Sequence, residues 1–234
     1  MQDYSQPILE IEDLQKSFTA PGGSRHCVVD VANFTLADKA QVALEGESGS
    51  GKTTLLNLIA GILKPDAGAV RIAGREMSAL SEPARDRLRA TTIGYIFQTF
   101  NLLQGYTSLE NVLLGMSFGP GADRDLARSL LERVGLGHRL KHYPRQLSTG
   151  QQQRVAVARA MANRPKLVLA DEPTGNLDHK NAAEALALIR SACQENGAAL
   201  LLVSHDREVL KQFETVQALQ KINRAAAGGG EKSA

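Results

Sequence analysis

Short apolar segments separated by Gly and Asp dominate the first third of the chain. Their spacing predicts four strands, at 8–11, 28–36, 41–44 and 69–72. A helical spacing of leucine and isoleucine follows, from Gly51 to Leu63, and Pro65 ends it because proline cannot continue a helix.

The second half of the chain alternates between helical and strand-like patterns. Helical spacing is expected in four segments: 109–114, 125–134, 151–162 and 181–194. Two continuous apolar runs, 167–170 and 199–203, are typical of parallel strands covered on both faces. The alternation predicts an α/β fold. The last residues, 225–234, are small and polar with three consecutive glycines, so we expect a disordered tail.

The composition of the 234 residues, 43% hydrophobic and 22% charged, is typical of a globular protein and excludes a disulfide scaffold. Lys and Arg number 27 against 25 acids, so a nucleic-acid partner is not expected. The two distant cysteines match no metal-ligand spacing and favour a reducing compartment. No apolar run reaches the ~18 residues of a membrane span, and residues 1–7 lack the basic start of a signal peptide.

A glycine-rich segment, 46–53, matches the pattern G-x-x-x-x-G-K-[ST] between a predicted strand and a predicted helix. Glycines let the backbone N–H groups face inward around phosphate oxygens. Lys52 adds a positive charge near the β- and γ-phosphates, and the Thr53 hydroxyl can occupy one site on Mg²⁺. A chance glycine-rich turn is the alternative, which the flanking elements disfavour. The candidate nucleotide ligands are Gly46, Glu47, Ser48, Gly49, Ser50, Gly51, Lys52, Thr53 and Thr54.

Two adjacent carboxylates, Asp171 and Glu172, follow the apolar run 167–170. Neighbouring strand residues face opposite sides, so we expect different roles for them. Asp171 suits Mg²⁺, usually through water, and Glu172 suits a base that orients and deprotonates a water molecule. His205, after the next apolar run, can hydrogen-bond a γ-phosphate. An acidic turn and a structural histidine are the alternatives.

A second candidate anion site begins at Ser148, the predicted N-cap of the helix in 151–162. The segment 147–151, Leu-Ser-Thr-Gly-Gln, resembles the signature L-S-G-G-Q of the ATP-binding cassette (ABC) family. The resemblance covers about 8–220 and includes the phosphate loop, Gln98, the acidic pair, Asp178 and His205 in the family's order.

The resemblance implies a P-loop NTPase (RecA-like) core with an antiparallel β subdomain and an inserted α-helical subdomain. The expected boundaries are 1–98 and 145–224 for the core with its β subdomain, and 99–144 for the helical subdomain. It also implies a head-to-tail homodimer with two ATP molecules and Mg²⁺ between the copies. Each nucleotide would contact one copy's phosphate loop and the other copy's Ser148, Gly150 and Gln151.

The resemblance also assigns individual roles. Phe18 falls where an aromatic ring stacks on adenine, although the residue alone would be assigned to core packing. Gln98 would sense the γ-phosphate and Mg²⁺ near the membrane partner, and Asp178 would link the two sites of the dimer. The expected catalytic residues are Glu172, His205, Gln98 and Lys52, and the expected Mg²⁺ ligands are Thr53, Gln98 and Asp171.

Within the family, the segments 169–178 and 107–112 resemble a subgroup that serves lipoprotein release, macrolide export and cell division. This resemblance implies an ATPase, ATP + H₂O → ADP + phosphate, bound to integral membrane permease subunits at the cytoplasmic face of the inner membrane. The alternative is a mechanotransmitting regulatory ATPase without a transported cargo. Thr149 replaces the first glycine of the signature, and a β-branched residue there is expected in ordinary helical or extended geometry.

Overall fold

The computed structural model describes residues 6–227. Nine strands of this part of the chain form two sheets. They are β1 (Leu9–Thr19), β2 (Arg25–Leu36), β3 (Gln41–Glu45), β4 (Ala67–Ile72), β5 (Arg75–Glu76), β6 (Ile93–Ile96), β7 (Leu167–Asp171), β8 (Ala199–Ser204) and β9 (Thr215–Ala218). Nine α-helices accompany them: α1 (Lys52–Ile59), α2 (Glu82–Thr92), α3 (Ser108–Ser117), α4 (Arg124–Arg133), α5 (Thr149–Ala160), α6 (His179–Asn196), α7 (Arg207–Leu210), α8 (Leu219–Ile222) and α9 (Arg224–Ala227).

The larger sheet is parallel, with the strand order β6-β7-β8-β3-β9. Every residue of β7 and β8 is buried, which explains their continuous apolar sequences. Because parallel strands end at the same edge, the residues that follow β3, β7 and β8 meet there. This edge brings the glycine-rich segment, the two carboxylates and His205 together.

The smaller sheet is antiparallel, with the strand order β2-β1-β4-β5. β1 extends to Thr19, well beyond the predicted 8–11. Its second half is mostly polar and is held by ladder hydrogen bonds to β2, from the Leu14–Val31 pair to the Thr19–Arg25 pair. An apolar pattern does not detect this part because backbone pairing, not burial, stabilises it.

The chain between β6 and β7 contains the helices α3 and α4, which match the helical spacing predicted at 109–114 and 125–134. α3 and α4 pack against α5, and their buried faces join the core beneath the sheet. Thr107 caps α3 in a capping box, in which its hydroxyl accepts from the Glu110 N–H and the Glu110 carboxylate accepts from the Thr107 N–H.

Two predicted boundaries are wrong. α1 ends at Ile59, not Leu63, because Gly61 adopts a left-handed φ of +65° and turns the chain. Residues 225–227 of the predicted disordered tail belong to α9, where alanine favours helix and Arg224 pairs with Asp30 at 2.7 Å. The remainder of that tail, 228–234, lies outside the described residues. Within 6–227, no helix is both long enough and apolar enough to cross a membrane.

Candidate functional site

The glycine-rich segment forms a loop from the end of β3 to the start of α1. Gly49 and Gly51 adopt φ angles of +81° and +91°, which strain any residue with a Cβ atom. A Cβ on Gly51 would also lie 2.7 Å from the Val28 carbonyl oxygen. The N-terminus of α1 follows directly, so its partial positive charge faces the same space as the loop.

The loop borders a cleft of about 290 Å³ at the edge of the parallel sheet. Most candidate residues from the loop and the strand ends meet here. The residues that line it are Val28, Ser48, Gly49, Gly51, Lys52, Thr53, Thr54, Gln98, Glu172 and His205. Gly46 and Glu47 contribute through their carbonyl groups, which accept hydrogen bonds from Lys52.

Lys52 is buried, and its ammonium group has three oxygen neighbours. Nζ donates to the carbonyl oxygens of Gly46 at 2.6 Å and Glu47 at 2.9 Å. It also lies 3.0 Å from Oε1 of Glu172. A phosphate that enters the cleft therefore competes with the Glu172 carboxylate for this ammonium.

Glu172 follows β7 with a φ of +44°, so its side chain turns away from the direction that a continued strand would give it. Its Oε1 lies 2.7 Å from Nδ1 of His205. Its Oε2 accepts a hydrogen bond from the Ser204 hydroxyl at 3.1 Å. These contacts hold the carboxylate at the cleft. Sequence reasoning missed Ser204, although its place between the apolar run of β8 and His205 was a usable signal.

Asp171 has different surroundings, as expected from the sequence. Its carboxylate is buried at the end of β7, close to the Thr53 side chain. Burial raises the pKa of Asp171, and the neighbouring Glu172 charge adds to this rise, while Thr53 and Lys52 oppose it. Gln98 reaches the cleft from the chain after β6, where Asn176 Nδ2 donates to its carbonyl oxygen at 2.8 Å.

These oxygen donors fit Mg²⁺. The Thr53 hydroxyl lines the cleft and the Asp171 carboxylate lies close to it, and hard oxygen ligands are those that Mg²⁺ prefers. In residues 6–227, His, Cys, Asp and Glu form no cluster of three or more that could enclose a metal ion.

The signature segment has the predicted cap. Ser148 is the N-cap of α5, and its Oγ accepts from the Gln151 N–H at 3.3 Å while Gln151 Oε1 accepts from the Ser148 N–H at 3.1 Å. Thr149 is the first residue of α5 and has a negative φ, as expected. Gly150 faces α6, because an added Cβ would lie 3.0 Å from Asn181 Oδ1.

The cleft lining in the described chain includes neither these signature residues nor Phe18. One chain therefore brings the phosphate loop, the carboxylates, Gln98 and His205 together, but not the second anion site. Phe18 is 43% exposed on β1, with Lys16 Nζ 5.7 Å from the ring centroid, so the core-packing alternative is wrong. Asp178 is the N-cap of α6 and accepts from the Asn181 N–H at 2.9 Å.

The phosphate loop after β3, the acidic end of β7 and the parallel sheet define a P-loop nucleotide-binding protein. The model of the ABC transporter family matches residues 29–175, and the chain belongs to this family. The predicted fold class is confirmed by solved ABC cassettes.

Relatives and solved structures match along most of their length. The lipoprotein-releasing system ATP-binding protein LolD 2 of Caulobacter vibrioides is 41% identical over 219 residues, which are 92% of this chain and 96% of the relative. LolD of Pseudomonas syringae pv. tomato is 44% identical over 91% of this chain and 95% of its own. The dimeric post-hydrolysis structure of the ATP-binding cassette MJ0796, bound to ADP and Pi, has a TM-score of 0.81 and 35% identity, covering 89% of this chain and 92% of that chain.

Proposed function

We propose that this chain is the ATP-hydrolysing subunit of a membrane complex that releases lipoproteins, and that it acts as a homodimer with integral membrane permease subunits. The observation that carries the hydrolytic role is the Glu172 carboxylate at the cleft, 3.0 Å from Lys52 Nζ and 2.7 Å from His205 Nδ1. The similarity to LolD proteins over more than nine-tenths of the chain supports the lipoprotein cargo.

The contacts of Glu172 support an order of events. The arriving β- and γ-phosphates attract the Lys52 ammonium, which then leaves the carboxylate. Glu172 is thereby free to accept a proton from the attacking water, while the Ser204 hydroxyl keeps it aimed at the cleft. His205, in contact with the same carboxylate, can hydrogen-bond the γ-phosphate. The positive groups act mainly by stabilising charge on the transferred phosphoryl group.

Mg²⁺ would neutralise phosphate charge in this reaction, and Thr53, Gln98 and Asp171 would hold it. Phe18, exposed beside the β1–β2 turn, is proposed to stack on the adenine ring. Both roles rest on the resemblance of these positions to the ABC motifs.

A second copy is proposed to complete each nucleotide site. Ser148, Gly150 and Gln151 lie away from the cleft of their own chain in the described residues. The capping box uses the Gln151 N–H. The N–H groups of Thr149 and Gly150 belong to the first turn of α5, so they have no hydrogen-bond acceptor within the helix. This N-terminus is suited to the γ-phosphate of a nucleotide held by the other copy.

We place the subunit at the cytoplasmic face of the inner membrane, bound there through its permease partners. The names of the relatives favour lipoprotein release over the alternative of a regulatory ATPase without cargo.

The test is reconstitution of the chain with its own membrane subunits in lipid vesicles that contain an acylated lipoprotein. We expect Mg-ATP to release the lipoprotein to a soluble acceptor, and ATP turnover to depend on the acylated form. The same protein without its acyl chains is the matched control. ATP turnover that is equal with and without acylated protein, with no release, would refute the lipoprotein role and support the cargo-free alternative.

A further inference from the structure

A buried amide, Asn223, connects the C-terminal segment to the phosphate loop. It lies between α8 and α9 and is 1% exposed. Its Nδ2 donates to the carbonyl oxygens of Val28 at 2.9 Å and Ser50 at 3.2 Å. Its Oδ1 accepts from the N–H groups of Asp30 at 2.8 Å and Ala225 at 3.3 Å. Both donor hydrogens and both acceptor sites of the amide are therefore used, and this network allows one orientation of the side chain.

The contact with Ser50 acts on the peptide group that Ser50 shares with Gly51. The peptide bonds of the described residues are trans, so the Ser50 carbonyl and the Gly51 N–H point in opposite directions. The Ser50 carbonyl points toward Asn223. The Gly51 N–H therefore points away from Asn223, and Gly51 lines the cleft.

This peptide group needs an external restraint. Gly51 adopts φ +91° and ψ 10°, and glycine accepts positive and negative φ with little difference in energy. A rotation of the Ser50–Gly51 peptide would direct a carbonyl oxygen, instead of an N–H, toward an incoming phosphate. Lys52 does not prevent this rotation, because its contacts are to the carbonyls of Gly46 and Glu47 at the other end of the loop.

Asn223 is itself held in position by contacts of its own backbone. The Asn223 N–H donates to the Leu219 carbonyl at 2.7 Å, and Asn223 forms a β-bridge with Val31. Leu219 is fully buried, and its side chain lies 3.3 Å from the position of a Cβ on Gly46. The amide thus connects the loop to β2 and to the C-terminal helices at once.

We propose that Asn223 is a positioning residue for nucleotide binding, which holds the Ser50 carbonyl outward so that the Gly51 N–H faces the cleft before the phosphates arrive. The inference rests on the proposed nucleotide site. Its expected effect is on affinity, because a loop that must first reorient its peptide groups binds more weakly than one already arranged.

Asn223→Asp tests the donor function at nearly constant size. In its ionised form, aspartate still accepts from the Asp30 and Ala225 N–H groups, but it cannot donate to the Val28 and Ser50 carbonyls. We expect the dissociation constant for ADP, measured by calorimetry on the purified full chain, to rise about ten- to a hundredfold, since hydrogen bonds to charged groups contribute on this scale. The Gly51 amide signal, which should shift strongly when ADP binds to the parent chain, should shift much less in the variant.

Arg224→Gln is the matched control. It removes the adjacent ion pair with Asp30, which anchors the same C-terminal segment without contact to the loop. We expect this variant to bind ADP like the parent, whatever its melting temperature. Should Asn223→Asp not fold, Asn223→Ala removes the same donors without adding a charge, and the same affinity loss is expected.

Three results separate the possibilities. A parent chain that does not bind ADP would refute the proposed nucleotide site itself. ADP affinity within twofold of the parent in a folded Asn223 variant would overturn the role of Asn223. An equal affinity loss in Arg224→Gln would also overturn it, because the effect would then come from general anchoring of the C-terminal segment.

Discussion

The Lys52–Glu172 ion pair makes Glu172→Gln a test of stability and chemistry together. Both side chains are 8% exposed, and Nζ lies 3.0 Å from Oε1. Glutamine retains the size of glutamate but leaves the buried Lys52 charge without its counter-charge. Loss of one partner of a buried pair costs about 3 kcal/mol, the low end of the usual range, since two carbonyl groups still accept from Lys52. We expect the nucleotide-free variant to melt about 6–12 °C below the parent.

ATP should reverse this loss. The γ-phosphate supplies a new counter-charge for Lys52, and the Glu172 carboxylate no longer repels it in the variant. Mg-ATP should therefore stabilise Glu172→Gln more than it stabilises the parent. Without its general base, the variant should hydrolyse ATP at least about 100-fold more slowly and accumulate as an ATP-bound dimer.

The measurements are thermal unfolding with and without Mg-ATP, phosphate release and sedimentation velocity. Glu208→Gln is the matched control, because Glu208 forms an exposed ion pair with Lys211 whose loss costs less than about 1 kcal/mol. Hydrolysis by Glu172→Gln at the parent rate would refute the assignment of the base. A melting temperature unchanged in the absence of nucleotide would refute the energetic argument for the ion pair.

Two further predictions concern the signature helix and a surface carboxylate. Ser148→Ala should lower the free energy of unfolding by about 1 kcal/mol in denaturant titrations, because the helix cap is lost. The variant should still bind ADP but should no longer dimerise with ATP, and a dimer as stable as that of the parent would contradict the proposed contact of Ser148 with the other copy's nucleotide. Asp66 has its pKa lowered from 3.8 to about 2 by Lys16, by the Ser17 N–H and by Arg25. A lowered pKa means that its stabilisation is complete above about pH 4 and is lost as the pH falls toward 2. Asp66→Asn should therefore weaken the dependence of the free energy of unfolding on pH between 4 and 2. Urea titrations followed by circular dichroism measure this dependence, and the same change of unfolding free energy with pH in parent and variant would contradict the prediction.

Features that depend on neighbours in the chain were predictable from the sequence. The cap at Ser148 and the helical geometry of Thr149 depend on four consecutive residues, 148–151, and both are present. The buried strands β7 and β8 were recognisable because burial on both faces leaves a continuous apolar run. The position of the phosphate loop followed from its glycine spacing and its flanking elements.

Features that depend on distant partners were not predictable. The polar second half of β1 is held by β2, and no apolar pattern marks it. The exposure of Phe18 depends on where the edge of the antiparallel sheet lies relative to the core. The sequence showed that Lys52 and Glu172 belong to one site, but not that they pair directly in the absence of nucleotide.

Asn223 is the clearest example of a feature that the local sequence does not predict. Residue types and spacing around it carry no motif, and its partner Ser50 lies 173 positions earlier in the chain. Local patterns record which backbone conformation each segment prefers, and for this chain they were sufficient to locate the phosphate loop and the acidic pair. Hydrogen bonds across such separations exist after the chain has folded around both groups, so their geometry is a property of the packed molecule.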